Sequence, residues 1–143
     1  MKQGLYTILK QYIESKEHIG QVCWILGNIC SGKPNSFCYV IMDEAIMNKL
    51  CSIAVSHSES TTRDYALNVL FKIVKNCEKY QMIVIMEKYN ILKVFSFALM
   101  LPDLESVQNS IAALNRIHTI LDTEGNLYSC STRYNVSFQN RNY

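Results

Sequence analysis

Apolar residues recur at helical spacing along nearly the whole chain, and short polar runs interrupt them. Leu5, Ile8, Leu9, Tyr12 and Ile13 form a first stripe that ends at Glu14-Ser15. A second runs through Ile19, Val22, Cys23, Leu26, Ile29 and Cys30. Ser15 is its expected N-cap and Ser31-Gly32-Lys33-Pro34 its stop, since Gly suits a helix C-terminus and Pro cannot continue one. Phe37, Val40 and Ile41 mark a short third helix, and Met47, Leu50, Ile53 and Ala54 a fourth that closes in Ser56-His57-Ser58-Glu59-Ser60. Ala66, Leu67, Leu70, Ile73 and Val74 predict a long fifth helix. Three more helices repeat that order. A short one holds Val84 and Ile85, and a medium one Ile91, Val94, Phe95 and Ala98. Pro102-Asp103 opens a long one carrying Val107, Leu114, Ile117 and Leu121.

The order repeats because the residues do. Val40-Ile41-Met42 recurs as Val84-Ile85-Met86, a shift of 44, and the same shift carries Ser52 and Ala54 onto Ser96 and Ala98. In the long helices it carries Val22, Cys23, Leu26 and Ile29 onto Ala66, Leu67, Leu70 and Ile73, and a further 47 leads to Ala113, Leu114, Ile117 and Ile120. A period of about 40–47 residues built from short, medium and long helices is that of armadillo and HEAT solenoids, in which each unit buries its apolar face against its neighbours. The expected fold is all-α: a solenoid over 1–123 with a partial repeat at 1–32 and complete repeats at 33–77 and 78–123, followed by a polar tail at 124–143. A compact eight-helix bundle is the alternative. The partial repeat lacks its first helix and should leave apolar surface open at that end.

Composition agrees with helices and removes other classes. Five Gly and two Pro in 143 residues are too few breaks for a turn-rich sandwich or barrel, and a 49% hydrophobic share excludes disorder as the main state. The net charge of +2 is scattered, with no basic stripe for nucleic acid. The acidic positions Glu59, Asp64, Asp103 and Glu105 are expected to be balanced by nearby Lys and Arg. Ile91–Leu101, the longest mostly apolar stretch, is broken by Lys93 and Ser96 and is too short to span a bilayer. No signal peptide is evident at the start, so a soluble intracellular protein is expected.

Six cysteines at 23, 30, 38, 51, 77 and 130 include no C-x-x-C pair and read as reduced structural thiols rather than a disulfide framework. His18, His57 and His118 lack metal-ligand spacing. His18 and Cys23 diverge on one helix with no orienting acid beside them, and Ser31-Gly32-Lys33-Pro34 lacks the upstream glycine of a phosphate loop. No catalytic residue, metal ligand or cofactor is therefore expected. Asn135-Val136-Ser137 fits a glycosylation sequon by chance, and Tyr128, Tyr134, Phe138 and Tyr143 are candidates to cover the last repeat.

Trp24 and Asn28 are four residues apart and share one helix face, turned away from the apolar seam. An exposed indole offers a flat wall to a Lys or Arg stem and a cation-π contact of about 0.5–2 kcal/mol to its head. An amide one turn away can donate to and accept from an extended peptide backbone.

The run Ser15 to Gly32, and above all its core Cys23-Trp24-Ile25-Leu26-Gly27-Asn28-Ile29, resembles the third helix of an armadillo repeat from the importin-alpha family of nuclear import adaptors. Ala113-Leu114-Asn115-Arg116-Ile117-His118-Thr119-Ile120-Leu121 is similar to the closing helix of those adaptors, and a looser likeness reaches from about Lys2 to Gly125. The resemblance implies a right-handed armadillo solenoid, a non-enzymatic adaptor of cytoplasm and nucleus. It implies a groove in which Trp24 and Asn28 bind the basic localisation signal of cargo. The partners it implies are that peptide and import or export carriers of the importin-beta family, with neither nucleic acid nor membrane.

The ladder is not kept along the chain. The shifts carry Trp24 and Asn28 onto Asn68 and Lys72 and then onto Asn115 and Thr119, which leaves Asn68 and Asn115 as further candidates and sets Lys72 against a basic peptide. That departure resembles the C-terminal repeats of the family. No basic arm of the kind that binds the import carrier precedes Leu5, so a fragment or a shortened relative is expected. The second hypothesis is an armadillo scaffold that no longer recognises localisation signals.

Overall fold

The computed structural model describes residues 3–32 and 36–122. Every regular element among them is an α-helix: α1 (Gln3–Tyr12), α2 (Ile19–Cys30), α3 (Cys38–Met42), α4 (Glu44–Ser56), α5 (Ser60–Asn76), α6 (Lys79–Lys88), α7 (Ile91–Ala98) and α8 (Leu104–Asp122). The polar tail expected at 124–143 lies outside the described residues, with Cys130, the sequon and the tail aromatics.

The long helices α2, α5 and α8 are neighbours, with α5 packed against both others, and α4 and α7 pair beside them. One apolar core runs through all of them, from Leu9 and Ile13 through Leu26, Leu50, Leu70 and Phe95 to Ile117 and Leu121. In α5 the expected core positions Ala66, Leu67, Leu70 and Ile73 are all buried, because a long helix lies on each side. Ile29 in α2, and Leu114 and Ile120 in α8, are only half-buried, since those helices have a long-helix neighbour on one side among the described residues. Cys30, Val74 and Leu121, eight residues past the start of the shared pattern, are buried in all three.

Helix starts follow their caps. Asp43 accepts from the Ile46 N–H at 3.1 Å to open α4, and Asp103 accepts from Ser106 at 2.8 Å to open α8, as Pro102-Asp103 predicts. The Glu78 N–H donates to Gln81 across the capping box of α6. Ser15 does not cap α2. Its carbonyl accepts from His18 and Ile19 in a turn, and the helix begins at Ile19 with His18 as N-cap. The chain needs that turn to bury Ile13 and Ile19 in the same core. The expected lengths of the sixth and seventh helices are reversed. The capping box carries α6 over ten residues, whereas α7 ends after eight, where Met100 and Leu101 donate back three residues in a tight last turn before Pro102.

Three side-chain links tie α1 and the turn after it to α3 and α4. The Tyr6 hydroxyl donates to the Tyr39 carbonyl at 2.9 Å, Lys10 pairs with Asp43 at 2.9 Å, and Lys49 of α4 pairs with Glu14 at 2.8 Å. Two glycines let α2 approach α5. A Cβ at Gly20 would sit 3.0 Å from Thr62 Oγ1, and one at Gly27 3.7 Å from Val69 Cγ2 and Lys72 Nζ. Helix α2 therefore uses its Gly20–Gly27 edge against α5, which leaves the Trp24–Asn28 face open.

Candidate functional site

Trp24 is 56% exposed although it interrupts one of the most apolar helices of the chain. Its neighbours explain this. Val22, Cys23, Leu26 and Cys30 fill the core, Gly20 and Gly27 meet α5, and Trp24 and Asn28 occupy the remaining arc one turn apart. Asn68 on α5 and Asn115 on α8 are exposed as well. Among the described residues no hydrogen bond engages the side-chain amides of Asn28, Asn68 or Asn115.

Lys72 is not a free arm over this face. It is half-buried and donates from Nζ to the Gly27 carbonyl at 3.1 Å, tying α5 to one of the last carbonyls of α2. At the Asn28-equivalent position of α8, the Thr119 hydroxyl donates to the Asn115 carbonyl at 2.8 Å.

Two clefts open beside these residues. The first, about 400 Å³, lies between the starts of α2 and α5, walled by Gly20, Gln21 and Trp24 on one side and Glu59, Thr62 and Tyr65 on the other. The second, about 280 Å³, lies between the starts of α5 and α8, walled by Asp64, Tyr65 and Asn68 and by Asp103, Ser106 and Asn109. Each of the second six stands 44 residues after its counterpart in the first. Tyr65 serves both clefts. The same helix-pair packing has thus been used twice, with Tyr65 shared between the two sets of side chains.

The side chains in the clefts are aromatic and acidic. Glu17 and Glu59 line the first with Trp24 and Tyr65, and Lys16 is its one basic wall. Asp64, Asp103 and Glu105 line the second with Phe71, and no Lys or Arg does. The expectation that nearby Lys and Arg balance these carboxylates fails in the second cleft, where no basic side chain forms a wall. Burial first, then the charges of Asp103 and Glu105, raise the Asp64 carboxyl above its ordinary value, and the Arg63 guanidinium offsets them only in part. Arg63 itself donates to the His57 carbonyl at 2.8 Å. Asp103 is held below the ordinary range by the Ser106 N–H it caps. An array of this kind attracts a cationic side chain, which an aromatic wall then contacts through its stem.

The thiols point elsewhere. The five cysteines at 23, 30, 38, 51 and 77 are free. Burial pushes Cys23 and Cys30 up to about 12, and Cys51 and Cys77 up to about 11, far from a reactive thiolate. His18 packs edge-on against Tyr12 at 5.3 Å rather than beside Cys23. Among the described residues no cluster of His, Cys, Asp or Glu is placed to hold a metal ion, and no helix is long and apolar enough to cross a membrane.

No protein-family model matches the chain, and no curated protein matches it.

Proposed function

We propose that the chain is a non-enzymatic armadillo-type module that binds an extended Lys/Arg-rich segment across α2, α5 and α8. Trp24 and Asn28 form the main contact, and Asn68 and Asn115 extend it. The observation that carries this reading is the pair of aromatic and acidic clefts, 44 residues apart, that flank an exposed indole. Free amides on the same helices supply backbone hydrogen bonds, the indole and Tyr65 take side-chain stems, and Asp64, Asp103 and Glu105 take the charged head. The likeness of Cys23–Ile29 to importin-alpha repeats gives the segment its class: the nuclear localisation signal of a cargo protein. It also suggests carriers of the importin-beta family as further partners and cytoplasm and nucleus as the setting.

A second reading, an armadillo scaffold that binds a different extended or helical partner, is favoured by one observation. Only α2 carries the Trp–Asn pair, and the bound Lys72 places a cation where α5 would otherwise repeat it.

Titration of a fluorescent Lys/Arg-rich peptide, followed by its anisotropy and by Trp24 emission, separates the two. Cargo binding predicts a saturable change in both signals, weakened by salt and by Glu105→Gln and abolished by Trp24→Ala. No response at low salt and high peptide, in a protein with intact helix content, refutes it.

A further inference from the structure

We propose that this chain associates head to tail, the α1–α2 end of one copy packing on the α8 end of the next. Helix α2 meets α5 through Gly20 and Gly27; Ile25 and Ile29 lie roughly 170° around the helix from that edge. Both are half-buried. Their counterparts 44 residues on, Val69 and Ile73, are fully buried, and Val69 is the very side chain that reaches α2 beside Gly27. The face by which α5 stacks on its predecessor is therefore present on α2 without a long helix against it among the described residues.

Helix α1 of the same end unit carries Leu5, Ile8 and Tyr12, 43%, 49% and 47% exposed along one arc. Leu5 and Ile8 have Lys49 and Ser52, then Lys93 and Ser96, as counterparts at successive shifts of 44. The two later units thus keep those positions polar, and only the first makes them apolar.

The opposite end has a matching surface. Asn109 and Glu105 of α8 face the α5 cleft. On the far side of α8, Leu104, Ile111 and the half-buried Val107 and Leu114 form an apolar row, with Leu104 68% and Ile111 49% exposed. Packing α2 of one copy on α8 of another continues the internal sequence of contacts, α2 with α5 and α5 with α8, and covers both apolar ends with one type of interface. Such a heterologous contact does not close on itself, so it yields open stacks rather than a fixed dimer.

Sedimentation velocity of the full 143-residue chain, over micromolar to near-millimolar concentrations, tests this. The weight-average mass should climb from 16.5 kDa with no plateau at the dimer, and added salt should not suppress it. Ile8→Lys and Ile111→Lys are surface changes, each expected to remove one end while circular dichroism stays unchanged. Either variant alone should remain monomeric. An equimolar mixture should stop at twice the monomer mass, because each variant keeps the end the other lacks. A wild-type mass constant at 16.5 kDa overturns the proposal, as does association that survives Ile111→Lys or a mixture that stays monomeric. None of these outcomes depends on peptide binding.

Discussion

Gly20→Ala and Gly27→Ala make the same chemical change in the same helix, and the geometry gives them opposite signs. Replacing Gly by Ala inside a helix is worth about 0.8–1.0 kcal/mol through backbone entropy. At Gly27 the new methyl lands 3.7 Å from Val69 Cγ2 and Lys72 Nζ, ordinary contact distance, so Gly27→Ala is expected to stabilise by about 0.5–1 kcal/mol. At Gly20 it lands 3.0 Å from Thr62 Oγ1, well inside the contact optimum of about 3.5–4.0 Å. Thr62 cannot yield freely: it is 2% exposed and its hydroxyl donates to Glu59. Rotating it away strands a buried hydroxyl, at about 1–3 kcal/mol. Gly20 is also the second residue of α2, where the propensity gain is smaller. A net loss of about 1–2 kcal/mol results, and a separation of about 1.5–3 kcal/mol between the two variants. Urea unfolding read by Trp24 fluorescence and far-UV circular dichroism measures it, with shifted midpoints at unchanged slope. Thr62→Ala in the Gly20→Ala background should recover part of the loss. If Gly20→Ala is as stable as Gly27→Ala, the close approach of α2 to α5 is not what these glycines provide.

Other expectations rest on single contacts. Asp43→Asn keeps the α4 cap but loses the charge partner of Lys10, and should cost about 0.5 kcal/mol, whereas Asp43→Ala loses both and should cost about 1–2 kcal/mol in thermal unfolding. Burial raises the Asp43 carboxyl, but Lys10 and the Ile46 and Ala45 N–H groups outweigh it and hold the carboxyl below the ordinary range. Its stabilisation is present above the unfolded value of about 3.9 and is lost as pH falls through the lowered one, so the wild type should lose its advantage over Asp43→Asn below about pH 4. Lys72→Met removes a cation from the peptide face and should tighten a Lys/Arg-rich peptide by about three- to tenfold in an anisotropy titration, with only a small loss of stability, since the Gly27 carbonyl keeps the Ser31 N–H and hydroxyl as donors. Unchanged affinity would place the peptide away from α5. With thiol-specific reagent at pH 8, Cys23 and Cys30 should stay unmodified in the native chain and react on unfolding, while the half-buried Cys38 is labelled sooner, as mass spectrometry of the peptides would show.

Much of the fold was legible because helices announce themselves locally. The i, i+3, i+4 recurrence of Val22, Cys23, Leu26 and Cys30, or of Ala66, Leu67, Leu70 and Val74, requires no knowledge of a partner to predict a helix and its buried side. The exposure of Trp24 and Asn28 followed from the same periodicity. The start of α2 was misplaced because Ser15 has the chemistry of a cap, while the need to bury Ile13 and Ile19 together turned it into a loop residue. The acidic clefts were missed for a different reason. Asp64 and Asp103 are 39 residues apart, and local spacing says nothing about which side chains share a surface. The 44-residue shift, applied to polar as well as apolar positions, was the signal that could have found them, since it pairs Glu59 with Asp103 and Tyr65 with Asn109.

Helical character, the core positions along each helix and the repeated use of one packing pattern were already contained in the order of the residues, because they depend on spacing within a turn or at a fixed period. It took the packed molecule to decide that Lys72 is bound to the end of α2, that three carboxylates gather in one cleft, and that Val69 is fully buried while Ile25 is half-buried. Those features depend on which helix lies beside which, and contact between helices is a property of the stack.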